Sequence, residues 1–302
     1  MSIPSLINEL LFLVRQINIY AGLSIFVCGI LGNLLSVVVF LTLRTFRESS
    51  CSFYLSVMSL VNIGQLLTGL LSRTTFNLTN IDWTQMSLIY CKVRMYLLVV
   101  CTNISMLCMC LGTMDQYFAT CHRPYWQQWS DLKYARYLSL ISIIFSVSTA
   151  IPCLIYYVHY LSPMTGKVQC TTTDLFFDRL NIYFYRLMLS NILPLLMTLI
   201  FGLLTYRNVK QIAYRTLPLV RRELDKQLTS MILVQDVFTF FILLPIMTMG
   251  FISFNPSINR DLLVNAQYQL ANAIAVMFYY SYFAVSTGSN SICLIFNRLW
   301  FD

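Results

Sequence analysis

The sequence predicts an all-α protein, a seven-transmembrane helical bundle with its N-terminus extracellular and its C-terminus cytoplasmic. Of the 302 residues, 58% are hydrophobic and only 11% are charged, whereas soluble domains typically have roughly 25% charged residues. Seven apolar stretches are each long enough to cross a hydrocarbon core of about 30 Å as a helix. The alternation of polar and apolar residues that marks a membrane β-barrel is absent from the sequence.

We expect the seven stretches to form a single domain over residues 1–302. Their approximate bounds are 17–43, 53–72, 91–118, 137–160, 180–206, 228–254 and 263–296. Lys and Arg are more numerous in the loops after the first, third and fifth stretches, which the positive-inside rule places in the cytoplasm. The net charge of +8 therefore reflects topology, and the scattered basic residues predict no nucleic-acid partner.

Two features fit this orientation. Asn77 begins an Asn-Leu-Thr glycosylation sequon in the predicted loop between the second and third spans, and a glycosylated residue must lie outside the cell. Cys91 and Cys170 lie at or beyond the edges of apolar stretches, where an oxidising compartment can join them. Their pairing would tie the loop before the fifth span over the mouth of the bundle. The cysteines show no metal-ligand pattern, so neither a metal nor a cofactor is expected.

Besides Lys92 and Arg94 near the outer end of the third span, three charged residues lie within predicted spans. Asp115 lies at the inner end of the third span, Asp236 in the inner half of the sixth and Arg186 in the outer half of the fifth. A charged side chain is costly in a bilayer, so each is a candidate functional residue. The alternative for Asp115 is a solvated position at the interface. Arg186 is expected to face inward, whereas the sequence names no partner for Asp236.

Several motifs resemble those of the rhodopsin-like family of G-protein-coupled receptors, and the similarity covers nearly the whole chain. The motif residues are Gly32 and Asn33 in the first span, Cys91 and the Asp115-Gln116-Tyr117 triplet at the two ends of the third, Pro152, Pro194 and Pro245 in the fourth to sixth, and Asn290 in the seventh. The short third cytoplasmic loop is similar to that of invertebrate orphan receptors grouped with neuropeptide receptors.

The resemblance implies a plasma-membrane receptor that passes a signal from an extracellular ligand to a heterotrimeric G protein. Such a receptor shifts between packed helix arrangements, and its ligand must bind one of them more tightly. The implied molecule is not an enzyme, and no nucleophile–base pair or phosphate-binding loop is present in the sequence. Pro245 is expected to act as a hinge, although prolines are also common in membrane helices.

Departures from the family motifs leave other interpretations open. In similar receptors an arginine at the position of Gln116 pairs with an acid and stabilises the resting state. Asp225 occupies the position of that acid. Because Gln116 is uncharged, its contact with Asp225 is at most a neutral hydrogen bond. Asn62 replaces an aspartate that helps bind sodium, which predicts low sodium sensitivity. The alternative is a signalling-impaired receptor or a partner-binding membrane protein. A transporter or channel is less favoured.

The expected ligand pocket is basic. Leu98 takes the place of the aspartate that binds biogenic amines in similar receptors, which disfavours an amine ligand. Arg73 and Arg94 fall at positions that border the pocket in the family, although each can instead snorkel to the interface. Together with Arg186 and Tyr280, they predict a site for an anionic group on a peptide or a small acid.

Overall fold

The computed structural model describes residues 3–47, 49–161, 168–212, 219–252 and 261–299. Within these ranges the chain is helical apart from one two-stranded hairpin. The elements in chain order are α1 (Ile3–Thr42), α2 (Arg44–Arg47), α3 (Ser50–Gln65), a first π-helical segment (Leu66–Leu71), α4 (Ser72–Thr79), α5 (Trp83–Met86), α6 (Leu88–Thr120), α7 (Pro124–Gln127), α8 (Leu132–Tyr156), β1 (Tyr157–Leu161), β2 (Val168–Thr172), α9 (Leu175–Leu180), a second π-helical segment (Asn181–Ile192), α10 (Leu193–Ile212), α11 (Leu219–Ile252) and α12 (Leu262–Leu299).

Six helices among the described residues are long and apolar enough to cross a membrane. They cover Pro4–Thr42, Ser50–Thr79, Leu88–Thr120, Leu132–Tyr156, Leu175–Val209 and Ile232–Ile252. We refer to these as the first to sixth spans and to α12 as the seventh helix. The described part of α12 is less apolar because its first turns carry Asn265, Gln267, Gln269 and Asn272. The number of spans therefore stays at six in the described structure, and the seventh span remains a prediction.

Several boundaries differ from the sequence-based ones. The first helix begins at Ile3, well before the predicted residue 17, and the second span continues to Thr79. Both helices therefore extend past the predicted apolar core. The predicted end of the fourth span at residue 160 is wrong, because Tyr157–Leu161 forms strand β1 instead. Backbone pairing with β2 takes up the main-chain groups of these residues in place of helical hydrogen bonds.

The third span is the central element of the bundle. It packs against the second, fourth and fifth spans and also contacts the sixth, whereas the first span packs against the second and the seventh helix. The hydrophobic core has fully buried members on five different helices: Phe40, Met58, Met106, Leu243 and Tyr282. Many large apolar side chains point outward instead, such as Leu31, Ile155 and Phe241. This arrangement fits a bundle surrounded by lipid.

The hairpin covers one end of the bundle. Strands β1 and β2 pair antiparallel, with His159 opposite Cys170, and a disulfide joins Cys170 to Cys91 at the start of the third span. The Nε2 atom of His159 lies 2.7 Å from the carbonyl oxygen of Thr84, in the short helix α5. Two links, one covalent and one hydrogen-bonded, therefore hold the hairpin over the bundle mouth. We call this the outer end.

Candidate functional site

Arg73 is held by the first span. Its Nε atom donates to Oδ1 of Asn18 at 2.7 Å. Asn18 is buried, and its own amide donates to the carbonyl oxygen of Val14 at 2.7 Å. Because the amide nitrogen of Asn18 is held by the Val14 carbonyl, its Oδ1 atom is in a set position and orients the guanidinium of Arg73. The side chain of Arg73 is therefore half-buried at the outer end of the second span, not simply extended to the interface.

Arg94 is held by the second span. Its Nε atom donates to the carbonyl oxygen of Thr68 at 3.0 Å, and Thr68 lies in the first π-helical segment. A π-helical turn displaces carbonyl groups from the regular α-helical pattern, and such turns are frequent at functional sites. The distorted turn of the second span thus supplies the acceptor that positions the Arg94 guanidinium.

Arg186 lies in the fifth span. It lies in the second π-helical segment, which packs against the third and sixth spans. Its charge nevertheless acts on the hydroxyl groups of Tyr279 and Tyr280 in the seventh helix, and on that of Tyr157 at the start of β1. The side chain of Arg186 is exposed in the described structure. Its inward orientation stays a prediction.

Tyr280 of the seventh helix is the residue on which the charges of all three arginines act. Arg73, Arg94 and Arg186 are all close enough for their charges to act on its hydroxyl group, although the residue is only 7% exposed. The Tyr280 ring packs over Gly69, where an added Cβ would lie 2.5 Å from the hydroxyl oxygen and 2.8 Å from Leu98. Tyr280 and Leu98 therefore meet at Gly69, next to the Thr68 carbonyl that holds Arg94. A shared pocket that also includes Arg73 and Arg186 stays a prediction.

The cluster carries uncompensated positive charge. Within the described residues, none of the three arginines forms an ion pair with a carboxylate, and the Tyr280 hydroxyl has no hydrogen-bond partner. The same part of the chain contains no group of His, Cys, Asp and Glu residues able to hold a metal ion. Guanidinium groups bind carboxylate and phosphate groups through paired N–H donors. Carboxylate and phosphate groups are therefore the ligands that guanidinium groups of this kind are able to bind.

The inner end of the third span is buried. Asp115 is 5% exposed and accepts a hydrogen bond from Ser50 Oγ at 2.7 Å, so the solvated alternative for Asp115 does not hold. Gln116 is 2% exposed. Tyr117 is partly buried, and its ring lies 5.6 Å from that of Phe201 in the fifth span. The triplet thus connects the third span to the start of the second and to the fifth.

Asp236 has a partner on the third span. The Thr113 hydroxyl lies 3.4 Å from each carboxylate oxygen of Asp236 and 3.0 Å from the carbonyl oxygen of Met109. A Cβ added to Gly202 of the fifth span would lie 3.3 Å from Asp236 Oδ2. The carboxyl group is therefore enclosed by three spans, with one shared hydroxyl donor.

Two amide side chains join helices deeper in the bundle. Asn33 is fully buried and donates to the carbonyl oxygens of Gly29 at 2.7 Å and Phe283 at 2.9 Å, which links the first span to the seventh helix. Asn62 accepts a hydrogen bond from Ser105 Oγ at 2.6 Å, which links the second span to the third.

The remaining predicted residues have mixed outcomes. Asn77 lies in α4, not in a loop as predicted, and its side-chain amide donates to the carbonyl oxygen of Arg73 at 2.8 Å. The second span is longer than its apolar stretch, which accounts for the difference. Pro245 lies within α11, and its carbonyl accepts from the Thr248 hydroxyl at 2.8 Å. The side chains of Asp225 and Asn290 lie outside the described part of the structure.

Sequence reasoning missed Asn18, Thr68, Gly69 and Thr113, which shape the site without being charged. Asn18 is a polar residue in an apolar stretch, and a glycine such as Gly69 within a helix often indicates a packing or functional requirement. These two positions therefore carried a usable signal. The backbone role of Thr68 depends on a π-helical turn, for which the sequence gives no distinct pattern.

The architecture defines a multi-pass membrane protein, since six described helices are able to span a bilayer. Residues 32–285 match the model of the 7 transmembrane receptor (rhodopsin family). The chain belongs to this family, whose members are G-protein-coupled receptors and generally not enzymes. The disulfide between Cys91 and Cys170 is present as the resemblance implies. No curated protein matches the sequence significantly.

Proposed function

We propose that the chain is a plasma-membrane receptor whose extracellular ligand carries an anionic group, and that ligand binding opens the inner end to a heterotrimeric G protein. One observation carries the ligand assignment. The charges of three arginines from three different spans act on the buried Tyr280 side chain, and among the described residues no carboxylate pairs with these arginines. An acidic group on a small molecule or on a peptide would supply the missing countercharge.

The location of the cluster supports a role in signalling. It connects the second, third and fifth spans with the seventh helix, so a ligand that contacts all of them contributes free energy to their relative positions. A ligand shifts a two-state equilibrium only as far as its affinities for the two states differ. We expect ligand binding at Arg186 to contribute most to this shift, because its guanidinium forms no hydrogen bond among the described residues.

The test is nucleotide exchange on a purified G protein, reconstituted with the receptor in lipid nanodiscs and exposed to a library of acids, amines and peptides. We expect the activating compounds to be acidic and their potency to fall sharply in Arg186→Ala. Arg179→Ala is the matched control, since Arg179 is an exposed arginine seven residues earlier on the same span. Unchanged responses of Arg186→Ala to every activator would refute the assignment.

A signalling-impaired receptor or a partner-binding protein is the second candidate, favoured by one observation. Gln116, which is buried at the foot of the third span, offers a neutral amide where similar receptors have an arginine. The rates of G-protein nucleotide exchange with the wild-type receptor and with Gln116→Arg distinguish the two proposals. Low exchange in wild type that the arginine restores would favour impairment, whereas robust wild-type exchange favours the active receptor.

We further propose seven spans in one domain with the N-terminus outside. Cys91 and Asn77 lie at the same end of the bundle, and a disulfide requires an oxidising compartment. Glycosylation at Asn77 reports this orientation. Endoglycosidase treatment should lower the mass of wild type but not of Asn77→Gln, while Asn103→Gln, at a buried sequon within the third span, should behave as wild type. A cytoplasmic location of the N-terminus in protease mapping would contradict the orientation.

A further inference from the structure

Helix α8, the fourth span, has one buried side and one exposed side. Its buried residues are mostly small, such as Ala135, Ser142 and Ala150, and the helix contacts the second and third spans. With 3.6 residues per turn, a second set of residues falls on the opposite side of the helix. This set is large, apolar and exposed, and includes Leu140, Ile144, Val147, Ile151 and Ile155. The exposed side of α8 therefore faces lipid.

Two cations lie at the inner end of this lipid-facing side. Lys133 and Arg136 are both exposed, and they lie in the first two turns of α8. Residues three or four apart are neighbours on a helix surface, so Lys133 adjoins Tyr137 and Arg136 adjoins Leu140. The two cations, which we call the basic pair, are neighbours for the same reason. They continue the exposed apolar side of α8 and are able to reach the same headgroup.

The protein does not supply a countercharge for the basic pair. Among the described residues neither Lys133 nor Arg136 forms an ion pair. The adjacent acid, Asp131, caps α8 by accepting the backbone N–H of Lys133 at 3.3 Å. Positive charges near the N-terminus of a helix are disfavoured by the helix dipole, so helix stability does not explain them. The positive-inside rule is satisfied by a cation on any side of the helix, and does not explain a lipid-facing position.

Exposed aromatic side chains lie beside the basic pair. The ring of Trp126 stacks on Phe118 of the third span, with centroids 5.6 Å apart and ring planes 4° apart. The ring of Trp129 lies 5.2 Å from that of Tyr134, which follows Lys133 in sequence. Trp126, Trp129 and Tyr134 are all exposed. Trp and Tyr side chains are enriched where lipid headgroups meet acyl chains. These residues therefore place the start of α8 at the level of the headgroups.

We propose that the basic pair binds the phosphate-bearing headgroup of an anionic phospholipid, in the leaflet at the inner end, and that the acyl chains lie along the exposed side of α8. Guanidinium and ammonium groups are the usual protein ligands of phosphate. Because the two cations and the apolar residues share one helix face, the occupant is a membrane lipid, not a soluble anion. The inference goes beyond the proposed function and involves neither the extracellular ligand nor the G protein.

The experiment measures which lipid lies beside the two tryptophans. The receptor is reconstituted in nanodiscs that contain equal amounts of phosphatidylserine and phosphatidylcholine, with the acyl chains of one lipid brominated at a time. Bromine quenches tryptophan fluorescence at short range, so the two quenching values give the relative binding of the lipids. The sequence contains four tryptophans, and replacing Trp83 and Trp300 by Phe leaves Trp126 and Trp129 as the emitting residues.

We expect phosphatidylserine to bind about fivefold or more tightly than phosphatidylcholine, since each Lys or Arg near an anionic membrane surface contributes about one such factor. Lys133→Gln combined with Arg136→Gln should abolish this preference. The matched control combines Arg47→Gln with Arg207→Gln, which removes two exposed cations elsewhere at the inner end and should preserve it. Glycerophosphoserine has the same headgroup without acyl chains and should leave the quenching unchanged.

Several results would overturn the inference. Equal quenching by the two lipids in the receptor with Lys133 and Arg136 intact would show that there is no anionic lipid site. Equal loss of the preference in the variant and in the control would mean that net charge alone attracts the lipid. Displacement of the lipid by glycerophosphoserine would assign the basic pair to a soluble anion. Unchanged lipid preference with slower G-protein nucleotide exchange in Lys133→Gln/Arg136→Gln would assign it to a protein partner.

Discussion

The hydroxyl of Ser50 donates a hydrogen bond to Oδ2 of Asp115 at 2.7 Å, which joins the start of the second span to the foot of the third. Ser50 is 6% exposed and Asp115 is 5% exposed, so the bond is shielded from water. Ser50 Oγ also lies 3.2 Å from Ser130 Oγ, in the segment that leads to the fourth span. One serine therefore connects three parts of the inner end.

We expect Ser50→Ala to lower the Tm of the receptor. A hydrogen bond to a charged group contributes about 1.5–3 kcal/mol, and removing one donor leaves a buried carboxylate less well satisfied. Differential scanning fluorimetry in nanodiscs measures the change. Ser49→Ala is the control, since Ser49 is half-buried next in sequence but its side chain forms no capping hydrogen bond. Equal Tm values for Ser50→Ala and wild type would show that this bond is not needed at the inner end.

Gly69→Ala should disrupt the ligand site. The added Cβ would lie 2.5 Å from the Tyr280 hydroxyl oxygen and 2.8 Å from Leu98, so the side chains of Tyr280 and Leu98 must shift. We expect the affinity for the activating acid to fall by about tenfold or more, which corresponds to 1.4 kcal/mol or more. A radioligand or thermal-shift titration measures this affinity in Gly69→Ala and in wild type.

Gly112→Ala provides the comparison for this substitution. Its added Cβ would meet Ile232 at 3.7 Å, an ordinary van der Waals distance, and Gly112 lies in the same third span as Leu98 but nearer the inner end. Ligand affinity should therefore survive in Gly112→Ala. Similar losses in the two variants would mean that the effect is a general one on helix packing.

Asp236→Asn should be tolerated or stabilising. The described structure places no cation beside Asp236, and its single hydroxyl donor is shared with the carbonyl oxygen of Met109. An ionised acid at the centre of a spanning helix costs about 2.5–3.5 kcal/mol, a cost that the neutral amide avoids.

The corresponding measurement is again the Tm, with Thr113→Val as a second variant. Thr113→Val removes the hydroxyl donor and should lower the Tm, since it leaves the carboxyl group with no described donor. A strong loss of stability in Asp236→Asn would contradict this account and point to a charged partner for the acid.

Sodium should have little effect on this receptor. Asn62 presents a neutral amide oxygen that already accepts a hydrogen bond from Ser105 at 2.6 Å, whereas hard cations prefer several carboxylate and carbonyl oxygens. Exchanging sodium chloride for choline chloride at constant ionic strength should therefore leave the Tm and ligand affinity unchanged. Asn62→Asp should gain a response to sodium. A wild-type Tm that rises with sodium would show that the amide suffices for cation binding.

Much of the fold was predictable because lipid imposes simple rules on the sequence. Length and apolarity located six of the helices, and charged residues in apolar stretches pointed to Asp115, Arg186 and Asp236. The ends of the helices were less predictable. Helix α1 and the second span continue beyond the lipid-facing stretch, where helical hydrogen bonding no longer requires an apolar sequence. Asn77 lies in a helix for this reason.

The contacts of the site depended on tertiary geometry. No sequence pattern states that Asn18 would orient Arg73, or that a π-helical turn would offer the Thr68 carbonyl to Arg94. The strands at Tyr157–Leu161 and Val168–Thr172 were missed because an aromatic and β-branched run at the end of an apolar stretch fits a helix and a strand equally well. The strand form of Tyr157–Leu161 depends on pairing with Val168–Thr172.

The central claim of the proposal is that an anion from outside reaches the positively charged surroundings of Tyr280. Cysteine accessibility measures both this access and this charge without knowledge of the ligand, using Leu98→Cys in a Cys101→Ser background. The sulfonate reagent MTSES is anionic and the trimethylammonium reagent MTSET is cationic, and their rates are normalised to those of a free thiol. We predict that external MTSES reacts faster than MTSET, and that Arg94→Gln with Arg186→Gln removes the preference. Equal or faster reaction with MTSET would contradict the account.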